Sequence, residues 1–87
     1  MARVVYTRHA EEKFEVIKRH GFEVIRKQVE ETLAAPDMVI PQAKGRMIAQ
    51  RHISERHVLR LIYRQEGEDL VVITFYPGRR ERYEVKL

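Results

Sequence analysis

The pattern of hydrophobic and polar residues changes its period near Pro36, which divides the chain into a helical part and a β-rich part. Before Pro36, apolar side chains recur every three or four residues, as along one face of an amphipathic helix. From Asp37 onward they alternate with polar side chains or form short continuous runs, which is the pattern of strands. The change predicts an α+β domain in which two N-terminal helices pack on one face of an antiparallel, meander-like sheet of four to five strands.

The two predicted helices have clear start and stop signals. The first follows Thr7, whose hydroxyl can cap the free N–H groups of the first turn, and it closes at His20 and Gly21. Pro36 stops the second, because proline cannot continue a helix. The predicted apolar stripes are Ala10, Phe14, Ile17 and Val16 in the first helix, and Phe22, Ile25, Val29 and Leu33 in the second.

The strands beyond Asp37 are joined by connections too short for a parallel crossover, so we expect antiparallel hairpins. The last strand contains seven β-favouring residues without a charge, which predicts a central position, and Pro77 with Gly78 is expected to end it. A weak alternation near the N-terminus predicts one more short strand. The predicted strands are Arg3–Tyr6, Met38–Gln42, Arg46–Ile53, Arg56–Arg64 and Leu70–Tyr76.

A three-residue loop at Glu66–Glu68 would set the register of the last hairpin. Arg60 would then lie opposite Thr74, and Tyr76 would lie opposite Val58. The same register predicts that Ile73 is fully buried beneath the helices. The opposite face of the sheet would be open, with an apolar floor that carries arginines, a hydroxyl and a phenol.

Composition narrows the class of protein. The 87 residues predict a single domain over 1–87. Without cysteine, and without a long apolar run, we expect a soluble cytoplasmic protein with no disulfide, membrane partner or thiolate metal site. Residues 44–87 carry the whole net charge of +4, and arginine is the prevalent cation. This excess is typical of phosphate binding and, with equal weight, of the solvated surface of a stable protein.

Several short segments resemble one family. Thr7–Ala10, Lys13–Phe14, Pro36–Asp37 and Val72–Tyr76 resemble small uncharacterised bacterial and archaeal proteins grouped with RelE-like toxins. His20–Phe22 and Arg79–Tyr83 are similar to the corresponding parts of BrnT toxins. The resemblance spans nearly the whole chain and implies a fold of the RelE/ParE toxin superfamily. It further implies the toxin of an antitoxin pair, typically a ribonuclease that cleaves messenger RNA without a metal or cofactor.

The resemblance also implies which residues carry the chemistry. Arg60 matches a cationic position in the penultimate strand, and Tyr83 matches a late catalytic tyrosine. Arg79 or Arg80 matches the arginine after the last strand, and Arg80 is the one assigned to catalysis. A phenol accepts a proton only in its ionised form, which neighbouring arginines favour. The chain lacks the lysine-rich stretch of the better-studied toxins; only Lys44, Arg46 and Arg51 stand in its place. The residues expected to bind RNA are Arg51, Arg64, Tyr76, Arg79 and Arg82.

Two function classes stay open at this point: an RNA-cleaving toxin, and a binding module of the same fold that contacts RNA or a protein without catalysis. The partners expected are RNA, on the ribosome or free, and an antitoxin. His9 is expected to cap or pack at the start of the first helix rather than act as an acid or base. His52 and His57 would be cross-strand neighbours; without a third ligand, a surface pair is favoured over a metal site.

Overall fold

The computed structural model describes residues 3–83 of the chain, which form a five-stranded sheet with three helices. In the sheet the strands lie in the order β1-β5-β4-β3-β2. All neighbours are antiparallel except β1, which runs parallel to β5. The elements are β1 (Arg3–Tyr6), α1 (Arg8–Arg19), α2 (Arg26–Ala34), β2 (Met38–Pro41), β3 (Arg46–His52), β4 (His57–Glu66), β5 (Asp69–Arg79) and α3 (Arg80–Tyr83).

The α+β class and the meander of β2 to β5 agree with the sequence prediction. The prediction that the whole sheet is antiparallel was wrong. The short connections that enforce antiparallel pairing occur only between β2 and β5. Strand β1 is separated from β5 by both long helices and three strands, and this distance along the chain permits parallel pairing. The short helix α3 was not predicted. Among residues 3–83, no helix is long and apolar enough to span a membrane.

The core lies between the sheet and the helices α1 and α2. Helix α1 contacts β5 and β1, and α2 contacts β4 and β3. The apolar stripes were predicted wrongly at two positions, because Val16 and Ile25 are exposed. Ile25 is the N-cap of α2, where the Gln28 side chain accepts its N–H at 3.0 Å. The buried core cluster consists of Ala10, Ile17, Val24, Val29, Leu59, Leu61, Val72 and Phe75.

Thr7 caps α1 as predicted and also ties the helix to the sheet. Its Oγ1 accepts the N–H of Ala10 at 3.1 Å and donates to the carbonyl of Ile73 at 3.0 Å. The backbone N–H of Thr7 donates to the carbonyl of Val72 at 3.0 Å. One threonine therefore sets both the start of α1 and its distance from β5.

The register of the β4–β5 hairpin differs from the predicted one. The loop has two residues, Gly67 and Glu68, and Arg60 lies opposite Tyr76 rather than Thr74. A bulge beside Ile62 leaves Ile73 without a partner in β4. Because a bulge shifts the alternation by one residue, Val72 enters the core and Ile73 is only half-buried. The predictions that Ile73 is fully buried and that Val58 lies opposite Tyr76 were wrong.

Strand β5 also continues through Pro77 and Gly78, which were expected to end it. Pairing with β1 stops at Val72. Beyond this residue β5 pairs with β4 on one side, and its other side is an open edge of the sheet. Proline is tolerated on such an edge, because its missing N–H removes no ladder hydrogen bond on the open side.

Candidate nucleic-acid interface

A row of polar side chains crosses the sheet face opposite α1 and α2. Gln50 of β3 pairs with Arg60 of β4, which pairs with Tyr76 of β5. Leu59 and Leu61 belong to the helix-side core, so Arg60 between them points to the other face. Helix α3 contacts β4 and β5 and brings Tyr83 to this row. We call Gln50, Arg60, Tyr76 and Tyr83 the Arg60 cluster.

The Arg60 guanidinium lies over the ring of Tyr83 and beside that of Tyr76. Its carbon Cζ is 4.2 Å from the ring centroid of Tyr83 and 6.0 Å from that of Tyr76. The two ring centroids are 6.4 Å apart, with the rings tilted by 57°. A cation over an aromatic face is held by the ring quadrupole, which contributes about 0.5–2 kcal/mol according to burial. The arrangement therefore orients both the cation and Tyr83.

Gln50 connects the arginine to α3. The residue is 3% exposed, and its Oε1 accepts a hydrogen bond from Arg60 Nη1 at 2.9 Å. Its Nε2 donates to the backbone carbonyl of Tyr83 at 3.3 Å. Sequence reasoning missed this residue. The one available signal was an uncharged polar side chain within a predicted strand, between Ala49 and Arg51.

The hydrogen-bonding capacity of Arg60 is not saturated. Its Nε is buried and has no hydrogen-bond partner in the part of the chain that the structure describes. Leaving a buried donor unsatisfied costs about 1–3 kcal/mol, so native structures rarely keep one without a reason. An anion would supply the missing acceptor once a small movement of the surrounding side chains exposes this nitrogen.

Gly78 provides the space in which the Tyr83 ring lies. A Cβ at this position would come within 2.3 Å of Tyr83 Cε2, far inside van der Waals contact. The glycine was expected to end β5, whereas in the structure it pairs with Val58 inside the strand. The close approach of a ring, and not a special backbone angle, requires glycine here.

Gly78→Ala is expected to displace the Tyr83 ring from Arg60, because the added methyl group and the ring occupy the same space. Overpacking of this kind costs about 1–3 kcal/mol. The measurement is the ring-current shift of the Arg60 side-chain protons by NMR, together with a urea titration. In a Tyr83→Ala background the same Gly78→Ala change should cost no stability, since the clashing ring is gone. An unchanged ring-current shift in the single variant would contradict this account.

The other predicted site residues, the catalytic Arg80 and the remaining RNA-binding arginines, fall into three places. Arg82 is close to the cluster, with its Cζ 6.0 Å from the Tyr83 ring centroid, and Arg64 lies on the same sheet face, bonded to Glu66 at 2.9 Å. Arg79 and Arg80 line a separate cleft beside the β3–β4 loop. Arg51 lies on the helix side, where it pairs with Leu59 and donates to the Ala35 carbonyl at the end of α2. The roles assigned to all of them stay predictions.

The histidines occupy separate positions. His9 Nε2 forms a hydrogen bond with Thr74 Oγ1 at 3.1 Å, which connects the start of α1 to β5. His52 lies opposite Val58 and 3.9 Å from Asp37, so the predicted His52–His57 cross-strand pair was wrong. His57 points to the helix side, where its ring meets that of Phe22 edge-on at 4.8 Å. Within residues 3–83, no three potential metal ligands form a group.

The fold has counterparts among solved structures. It is similar to the ribonuclease toxin BrnT of Brucella abortus, with a TM-score of 0.58 and 20% identity over 90% of this chain and 97% of BrnT. It is also similar to the conserved hypothetical protein HP0894 from Helicobacter pylori, with a TM-score of 0.53 and 15% identity over 93% of this chain and 97% of that protein. No family model and no curated protein matches the sequence. The expected similarity to the fold of BrnT is thus confirmed, and membership of the RelE/ParE superfamily stays a prediction.

Proposed function

We propose that this protein is the toxin of a toxin–antitoxin pair and that it cleaves messenger RNA without a metal. The observation that carries the proposal is the half-buried guanidinium of Arg60, with its unsatisfied Nε, over the ring of Tyr83 and beside that of Tyr76 on an open sheet face. Support comes from the fold that the chain shares with the ribonuclease toxin BrnT. The excess of positive charge in residues 44–87 adds to it, since RNA is a polyanion.

The proposed reaction is an attack of the ribose 2′-oxygen on the adjacent phosphorus. The new P–O2′ bond forms as the bond to the 5′-oxygen breaks, which leaves a 2′,3′-cyclic phosphate and a 5′-hydroxyl end. The 2′-hydroxyl proton passes to a base, and the departing 5′-oxygen takes a proton from water at the open site. Tyr83 is the proposed base, and Arg60 stabilises the negative charge that develops on the phosphorane.

Positioning of the RNA is assigned to the groups around this pair. The rings of Tyr76 and Tyr83 offer faces on which bases stack, and such stacking contributes about 1–3 kcal/mol per base. Arg64 and Arg82 lie where they can neutralise backbone phosphates. Gln50 acts as a positioning residue, because it holds both Arg60 and the carbonyl of Tyr83.

Tyr83→Phe is expected to reduce RNA cleavage at least about tenfold, because it removes the phenol and keeps the ring that stacks on Arg60. The assay measures cleavage of free RNA and of messenger RNA on translating ribosomes, with a chelator present, and identifies the product ends. Tyr63→Phe, on the helix side of β4, is the matched control and should leave the rate unchanged. If cleavage requires a divalent metal, the proposed mechanism is wrong.

The alternative is a non-catalytic module that binds RNA or a partner protein. The observation that favours this alternative is the arginine beside two aromatic rings. Such an arrangement can bind single-stranded RNA whether or not a bond is cleaved. Wild-type protein that binds RNA and leaves both substrates uncut would establish the alternative.

A further inference from the structure

A second polar site lies beside the β3–β4 loop. It is a cleft of about 340 Å³ lined by Glu55, Arg56, His57, Arg79, Arg80 and Glu81. The sequence analysis assigned Arg79 and Arg80 to the same site as Tyr83. In the structure Arg79 and Arg80 line the cleft, and Tyr83 lies beside Arg60. Helix α3 connects the two places, since it begins at Arg80 and ends at Tyr83.

The walls of this cleft are held by hydrogen bonds in which backbone groups take part. The N–H of Arg80 donates to the carbonyl of Arg56 at 2.9 Å, and Arg80 Nη1 donates to the carbonyl of Glu55 at 3.2 Å. Within the loop, Ser54 Oγ accepts the N–H groups of Arg56 at 3.3 Å and His57 at 3.1 Å. The loop and the start of α3 thus form one connected unit, so a ligand would meet a preformed site.

The charges in the cleft favour an anion. Three guanidinium groups face two carboxylates, and one of these, Glu81, is already paired with Arg79 at 3.7 Å. Within residues 3–83 the exposed guanidinium of Arg56 makes no hydrogen bond or ion pair. Arginine presents a planar fork of donors that matches the oxygens of a phosphate.

We propose that this cleft is a phosphate subsite, which takes a backbone phosphate of an RNA strand whose neighbouring nucleotide lies on the Arg60 cluster. The RNA identity of the ligand rests on the proposed function. Arg80 and Tyr83 are three residues apart in one helical turn, which is a rise of about 4.5 Å, so one single strand can reach both sites. Continuity with the two stacking rings favours RNA over an acidic peptide as the ligand.

The test uses a short 2′-O-methyl RNA, which the proposed reaction cannot cleave, titrated into the full chain at several salt concentrations. Replacing Arg56 and Arg79 together by alanine should weaken binding about tenfold at low salt and lower the salt slope by about 0.7 for each phosphate that is no longer neutralised. Arg8→Ala with Arg19→Ala is the matched control. The control also removes two positive charges, both from α1. Among the described residues, Arg8 forms an ion pair with Glu12, as Arg79 does with Glu81, and Arg19 forms none, as is the case for Arg56.

In the cleavage assay, the Arg56 and Arg79 variant should raise KM about tenfold and leave kcat within about twofold, because uniform binding is lost and the chemical step is not. If the cleft variant and the α1 control bind the RNA equally well, the cleft is not a phosphate subsite. A fall in kcat would also overturn the proposal, because it would place the reaction centre in the cleft. Competition by polyglutamate as strong as that by RNA would overturn it too. If wild type cleaves no RNA, the proposed function fails, while weaker binding by the cleft variant still supports the phosphate subsite.

Discussion

Phe75→Ala is expected to lower the free energy of unfolding by about 3–5 kcal/mol, as complete truncation of a buried phenylalanine does. Phe75 is fully buried on β5 and lies opposite Leu61 of β4. Its ring packs on that of Phe14 in α1, with 4.6 Å between the centroids. Truncation would leave a cavity between the sheet and the helix. Because a small domain is stable by only about 5–15 kcal/mol, this one change removes a large part of the stability.

A urea titration with circular dichroism measures the effect. Phe22→Ala is the matched control, because Phe22 is half-buried at the margin of the core beside His57, and its truncation should cost clearly less. If the loss at Phe75 were below about 1 kcal/mol, Phe75 would not lie at the centre of the core. If the Phe75 variant does not fold, Phe75→Leu keeps the test measurable, with a smaller loss expected.

The second prediction concerns Arg60, whose replacement should reduce activity strongly and change stability little. Arg60→Met is expected to lower kcat for RNA cleavage by about 100-fold or more, the usual effect of removing one donor that stabilises a transition state. Stability should change by less than about 1 kcal/mol, since the relief of the unsatisfied Nε offsets the removal of the hydrogen bond to Gln50 and of the stacking on Tyr83.

Arg64→Met is the matched control. Arg64 lies in the same strand as Arg60 and on the same face of the sheet. It differs from Arg60 in that it is paired with Glu66 near the end of the strand. Its replacement should weaken RNA binding at low salt and leave kcat nearly unchanged. Arg60→Lys should recover only part of the activity, because an ammonium keeps the charge without the planar fork. Full activity of Arg60→Met would exclude Arg60 from the reaction.

Local patterns predicted much of this fold. Thr7 caps α1, Pro36 separates α2 from the sheet, and four strands follow in the predicted order. Each of these features depends on residues that are close together along the chain. The cap needs a hydroxyl three residues before the N–H that it accepts, and the helix stop needs only the proline itself. A strand is recognised by the alternation of its own side chains. The sequence could also place Arg60 on the open face, because a register error of two residues leaves the face of a side chain unchanged.

Only the tertiary structure decided how these pieces combine. The parallel pairing of β1, the two-residue loop and the bulge at Ile73 depend on contacts between distant segments, so Val72 rather than Ile73 enters the core. The same holds at the candidate site. Helix α3 brings Tyr83 onto Arg60 because Gly78 leaves room for the ring and Gln50 holds its carbonyl. A pattern with a period of two or 3.6 residues specifies which face a side chain takes, but the partner across a sheet is set by the fit of the whole core.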